Sequence, residues 1–139
     1  MEWYREGYTV SDNKLKMDTD VIFQLLSTCY WAQDRSKEII VKSMDNAICF
    51  AVFEGKQQIG FARVITDNIT FSWICDVIIN PDYRGEGIGT WLLQCIMEHP
   101  DNQVRTLGLS TKDSHHLYRK FGFSDVETMR CRIDNPASW

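Results

Sequence analysis

The sequence predicts an α/β fold: a mixed, mostly antiparallel sheet with helices on both faces. Three observations lead there. Apolar residues recur at helical spacing in several stretches, and strand-length apolar runs separate them. The elements follow the order β-α-α-β-β-β-α-β-α-β, which suits a sheet covered on two sides. Turn residues punctuate every junction without a linker, repeat or low-complexity tract, so residues 1–139 read as one domain.

Taken in order, Tyr8 to Ser11 suits a short first strand. Asp18 to Asp20 offer N-caps for a helix through Val21, Ile22, Leu25 and Leu26. A loop with adjacent aromatics, Tyr30 and Trp31, leads to Ser36, which caps a helix from Lys37 to about Asn46. Ile48 to Phe53 and Gln58 to Thr66 form a hairpin about Glu54-Gly55-Lys56. Phe71 to Ile79 is nearly continuously apolar, the mark of a strand covered on both faces. Pro81 ends it, because proline cannot donate to a ladder. A helix begins near Gly87, carries Ile88, Trp91, Leu92, Cys95 and Ile96 on one stripe, and stops at Pro100. Arg105 to Leu109 is a further strand. Ser110 to Asp113 fits a capping box, predicting a helix from about Thr111 to Phe121 with Gly122 as its left-handed end. Phe123 to Ile133 is expected to close the fold with a last strand or two.

Hydrophobic residues make up 44 % and net charge is −4, a globular composition that argues against nucleic acid as a partner. The five cysteines, Cys29, Cys49, Cys75, Cys95 and Cys131, are odd in number and mostly sit in apolar runs. They read as reduced, buried thiols, with no spacing for zinc or redox chemistry, and no metal is expected. The N-terminus lacks an apolar signal core and no run nears the ~20 apolar residues of a membrane span. No membrane association and a cytoplasmic location are the expectation. Nothing in the sequence decides between a monomer and a homodimer.

The stretch that organises the chain runs from Asp76 to Met97: an apolar strand, a sharp turn, the basic glycine loop Arg84-Gly85-Glu86-Gly87-Ile88-Gly89, and a helix. The first N–H groups of a helix lack internal partners and sit at the positive end of its dipole. Glycines let a phosphate reach them, and Arg84 adds a full charge. A P-loop would need Lys-Ser or Lys-Thr after the last glycine, whereas Thr90-Trp91 follow here. A dinucleotide fingerprint would need glycine where Thr90 stands.

The remaining pattern, R-x-x-G-x-G over Arg84, Gly87 and Gly89, resembles the pyrophosphate-binding motif of the GNAT (GCN5-related N-acetyltransferase) family. Leu117-Tyr118-Arg119-Lys120-Phe121-Gly122-Phe123 resembles the family's L-Y-x-K-x-G-F signature, and the element order is also the family's. The resemblance implies the acyl-CoA N-acyltransferase fold, acetyl-CoA as co-substrate and an amine as acceptor, with a small molecule favoured. It implies that the backbone of Gly85, Glu86, Gly87, Ile88, Gly89 and Thr90 holds the pyrophosphate beside Arg84. By the same resemblance the splayed strand at Val77, Ile78 and Ile79 pairs with the pantetheine arm. Thr111 stands where many members place a cofactor-contacting asparagine.

Acetyl transfer to an alkylamine needs an ammonium stripped of its proton, a cost of roughly 4 kcal/mol at pH 7. The departing thiolate needs an acid. By resemblance Tyr118 is that acid. Asp76, the lone charge between Trp73 and Ile79, is a candidate base acting directly or through water; an ion pair with Arg63 on the adjacent strand is the structural alternative. Tyr30, Trp31 and Arg35 lie where the family lines its acceptor pocket, and the aromatic pair suits either a cationic amine or loop packing. His115 and His116, adjacent on one helix, point apart and make a poor metal pair. Two alternatives stay open: an acyl-CoA-binding sensor without turnover, and a protein or peptide N-acetyltransferase.

Overall fold

Side-chain alternation along the central strands sorts the core into two layers. The computed structural model describes residues 1–139. Its sheet holds β1 (Glu2–Arg5), β2 (Tyr8–Ser11), β3 (Ile48–Glu54), β4 (Gln57–Thr66), β5 (Phe71–Ile79) and β6 (Thr106–Leu109), in that spatial order. Neighbours are antiparallel except β5 and β6, which run parallel. Phe50 and Val52 of β3 face α3 (Ile88–Glu98), packing with Trp91, Leu92, Cys95 and Ile96. Cys49, Ala51 and Phe53 point the other way, onto Ile22 and Leu26 of α1 (Thr19–Ser27) and Ile40 and Met44 of α2 (Lys37–Asp45). The expected sheet with helices on both faces is present.

The predicted caps are made. Asp18 accepts from the N–H groups of Asp20 and Val21, and Ser36 Oγ accepts from Ile39 N–H. Capping satisfies donors that the helix geometry orphans, so both helix starts are local properties of the chain.

Four sequence expectations need correction. The chain begins with a hairpin: β1 precedes β2 through Glu6 and Gly7, both at positive φ, the geometry of a tight primed turn. Glu2-Trp3-Tyr4-Arg5 is half polar and lies at the sheet edge, so it shows no core alternation. The helix expected from Thr111 starts only at His115, as α4 (His115–Arg119). Thr111 Oγ1 accepts the Ser114 N–H at 3.0 Å, a local turn that competes with helix. Phe123 to Ile133 joins no ladder; Val126, Met129 and Ile133 are exposed and β6 is the sheet's last strand. Period-two alternation permits a strand, but only ladder partners for its N–H and C=O groups make one.

The fourth correction concerns β5, which is not covered evenly on both faces. Trp73, Cys75 and Val77 are only half-buried. The register with β4 jumps from Arg63↔Cys75 to Phe61↔Ile78, and Asp76 takes the left-handed φ of 56°. This bulge inserts a residue and turns the strand over. Ile74 packs on the α3 side and Ile78 on the α1–α2 side, although strict alternation would put both on one face.

Candidate active site

The site begins where β5 loses a neighbour. β6 pairs with it only from Phe71 to Ile74, where Ile74 meets Leu109. Beyond that point β6 has ended and the chain turns away toward α4. From Cys75 onward the β5 edge faces open space. A cleft of about 1050 Å³ lies there, with Cys75, Asp76 and Val77 on one wall and Leu109 to Ser114 on the other.

Residues far apart in sequence converge on this cleft. Tyr30, Trp31 and Arg35 come from the α1–α2 loop, Thr111 from the β6–α4 turn and Tyr118 from α4. Ile78 and Ile79 do not line it; their side chains are buried in the two core layers, so only their backbones extend the free edge. Arg84 to Thr90 lie past the strand end and outside the cleft walls.

The loop after β5 leaves a helix start open. Gly85 and Gly87 hold φ of 86° and 77°, left-handed values that disfavour any side chain. Gly87 is the N-cap of α3 and supplies no side-chain acceptor, so the first-turn N–H groups have no capping partner. A Cβ built on Gly85 would meet nothing within 4 Å, so approach to its backbone is unobstructed. Arg84 is exposed and the Ile88 side chain is buried in the core. Tyr8 donates its hydroxyl to Glu86 at 3.1 Å, and Tyr83 donates to Glu54 at 2.9 Å, anchoring the loop to β2 and β3. Desolvation, with the Glu86 carboxylate adding to it, pushes the Tyr8 phenol up to about 12. These features fit a diphosphate, which needs donors and no facing carbon.

Asp76 is buried on the cleft floor between two guanidinium groups. Arg63 Nε donates to its Oδ2 at 2.8 Å, and Arg35 Nη1 lies 2.8 Å from both oxygens. The pairing with Arg63 is therefore present, and Arg35, read from sequence as an acceptor-pocket residue, joins it. Burial disfavours the Arg63 charge, but the adjacent Asp76 outweighs it and the guanidinium pKa is raised.

Tyr118 packs edge-on against Phe123, ring centroids 5.8 Å apart. Burial, with Asp113 nearby, raises its phenol above the usual 10.0, so the hydroxyl keeps its proton through neutral pH. Lys112 Nζ sits 5.3 Å from the centroid of the Tyr30 ring, joining the β6–α4 turn to the α1–α2 loop.

Residues 45–125 match the sequence pattern of the Acetyltransferase (GNAT) domain. The chain belongs to the GNAT family. A crystal structure of a GNAT-family protein from Xanthomonas campestris pv. campestris superposes with a TM-score of 0.88 at 32 % identity, covering 94 % of this chain and 96 % of that one. A Gibberella zeae protein provisionally named an acetyltransferase is 29 % identical over 140 residues, 85 % of this chain and 79 % of its own length. An uncharacterized N-acetyltransferase of Pyropia yezoensis is 28 % identical over 106 residues, and the match spans 61 % of its length. A GNAT acetyltransferase of Elizabethkingia anophelis, described as having acetyl-CoA bound, shares the fold at TM-score 0.68 and 20 % identity, over 88 % of this chain and 80 % of that one.

The cleft is also lined by residues that the sequence did not single out, among them Asp34, Trp73, Cys75, Lys112, Arg130 and Arg132. Trp73 and Cys75 carried a signal, since they alternate with the buried Ser72, Ile74 and Asp76. Arg130 and Arg132 lie in a segment without regular secondary structure, so no period marked them. Asp34 and Lys112 are loop residues without periodicity. No helix of the chain is long and apolar enough to cross a membrane.

Proposed function

We propose that this chain moves the acetyl group of acetyl-CoA to the amine of a small acceptor by direct attack in a ternary complex. One observation carries the reading: the free edge of β5 leads, through a short 3-10 turn at Pro81–Tyr83 and the glycine loop, to the uncapped N-terminus of α3. Along that line the backbone groups of Val77, Ile78 and Ile79 would hold the pantetheine arm. The N–H groups of Gly85 to Thr90, with Arg84, would hold the pyrophosphate. Thr111 Oγ1 already accepts from Ser114, which leaves its hydroxyl proton for the cofactor. When bound, acetyl-CoA supplies an activated acyl group and a thiolate leaving group. The acetyl-CoA described in the Elizabethkingia anophelis relative supports this choice of co-substrate.

The chain's own side chains then position and move protons. Tyr30 and Trp31 take the acceptor at the mouth of the cleft. Arg35 is held over the floor by Asp76, whose oxygens are occupied by guanidinium N–H groups; Asp76 is thereby a positioning residue, and solvent in the open cleft carries the amine proton away. Tyr118, protonated at neutral pH, delivers its hydroxyl proton to the departing sulfur. A cleft of about 1050 Å³ suits a small molecule. We place the reaction in the cytoplasm, where five unpaired cysteines stay reduced.

Thiol release from acetyl-CoA against a panel of amines tests the proposal. Turnover that needs both substrates supports it. Coenzyme A binding without turnover of any amine would instead assign a sensor role.

A further inference from the structure

We propose that the acceptor carries an oxyanion group, carboxylate or phosphate, in addition to its amine, and that Arg130 and Arg132 receive it. This rests on the acetyl-transfer reading above and narrows its substrate class.

The cleft's cations are not equivalent. Arg35 is committed to Asp76, and Lys112 lies over the Tyr30 ring. Arg130 and Arg132 line the same cleft, yet neither forms an ion pair with a carboxylate of the chain. Arg119, by contrast, is satisfied on the outside by Asp125 at 2.9 Å. Two guanidinium groups two residues apart in the segment after α4 line one cleft, and each presents a planar fork of N–H donors. That geometry matches the paired oxygens of a carboxylate or phosphate.

The surrounding charge sharpens the point. With a net charge of −4 the chain as a whole repels anions, so an anionic acceptor needs local cations to enter. Asp34 and Asp113 line the cleft too and supply the complementary charge for an ammonium. Walls of both signs suit an acceptor of both signs. The diphosphate of coenzyme A, proposed above to sit at Arg84 and the α3 N-terminus, lies outside these walls and leaves the arginine pair free. The pair also falls beyond the family pattern, which ends at residue 125.

Matched acceptors decide the matter: phenylalanine against phenylethylamine, and phosphoethanolamine against ethanolamine. Each is followed by thiol release from acetyl-CoA and by thermal shift with coenzyme A present. Wild type should favour an anionic member over its neutral partner by about tenfold or more in kcat/KM, the scale of a charge-assisted fork. R130Q/R132Q should raise KM for that member and bring the ratio toward one. R130K/R132K, which keeps charge without forks, should restore part of it. Preference within the first pair assigns carboxylate, and within the second, phosphate. Equal use of charged and neutral amines, or a ratio unchanged in R130Q/R132Q, overturns the inference and leaves acetyl transfer standing. If no amine turns over, acetyl transfer itself fails and the melting shift decides. An anionic amine must then stabilise wild type and not R130Q/R132Q; without that difference the inference falls.

Discussion

Arg63 Nε donates to Asp76 Oδ2 at 2.8 Å across the β4–β5 ladder, at the point where the bulge at Asp76 shifts that ladder's register. The bond ties a strained backbone position to the strand beside it. Arg35 closes the group from the α1–α2 loop, so one carboxylate joins the sheet to the wall of the cleft. Both Arg63 and Asp76 are largely withdrawn from water, with side-chain exposures of 11 % and 2 %. Removing one partner strands buried charge.

Asp76→Ala is therefore expected to destabilise the fold by about 3–5 kcal/mol, the usual cost of breaking a buried ion pair from one side. Chemical denaturation measures it. Combining Asp76→Ala with Arg63→Met should recover a substantial part, since the stranded guanidinium is then gone. A double variant as unstable as the sum of the single ones would deny the coupling.

Gly60 faces Ile79 across β4 and β5. A Cβ there would lie 2.7 Å from Ile79 Cδ1, 3.0 Å from Val52 Cγ2 and 3.2 Å from the Ile78 carbonyl oxygen. Gly60→Ala should cost about 1–3 kcal/mol by overpacking. It should also displace the β5 edge proposed to hold pantetheine, raising KM for acetyl-CoA more than it lowers kcat. Steady-state kinetics with varied acetyl-CoA checks the split.

Gly87→Ala forces a side chain into a left-handed N-cap at φ 77°. The strain is about 1–2 kcal/mol, felt at the first turn of α3. Calorimetric titration should show weaker coenzyme A binding than in wild type.

Tyr118→Phe probes the proposed acid through pH. The rate should climb with pH as the acceptor amine loses its proton. In wild type it should fall again as pH rises through the raised phenol pKa, above 10.0, because the acid form is lost. The phenylalanine variant should show a lower kcat, by about 10²-fold or more, and no alkaline fall. An unchanged kcat in a folded variant would remove Tyr118 from the mechanism.

What the sequence determined by itself is what neighbours along the chain decide. Asp18 and Ser36 cap the helices they precede because a side chain reaches N–H groups two or three residues on. The glycines of the loop after Pro81 and the signature around Tyr118 are likewise local, and they carried the family. Tertiary structure decided what depends on partners far along the chain. Arg35 meets Asp76 across a sequence separation of 41 residues. β1 exists because β2 lies beside it, and Phe123 to Ile133, expected to add a last strand or two, stays out of the sheet. The bulge that turns β5 over, and the early end of β6 that opens the cleft, are matters of register. Register is set by which backbone groups find each other, and that is written in no single stretch of residues.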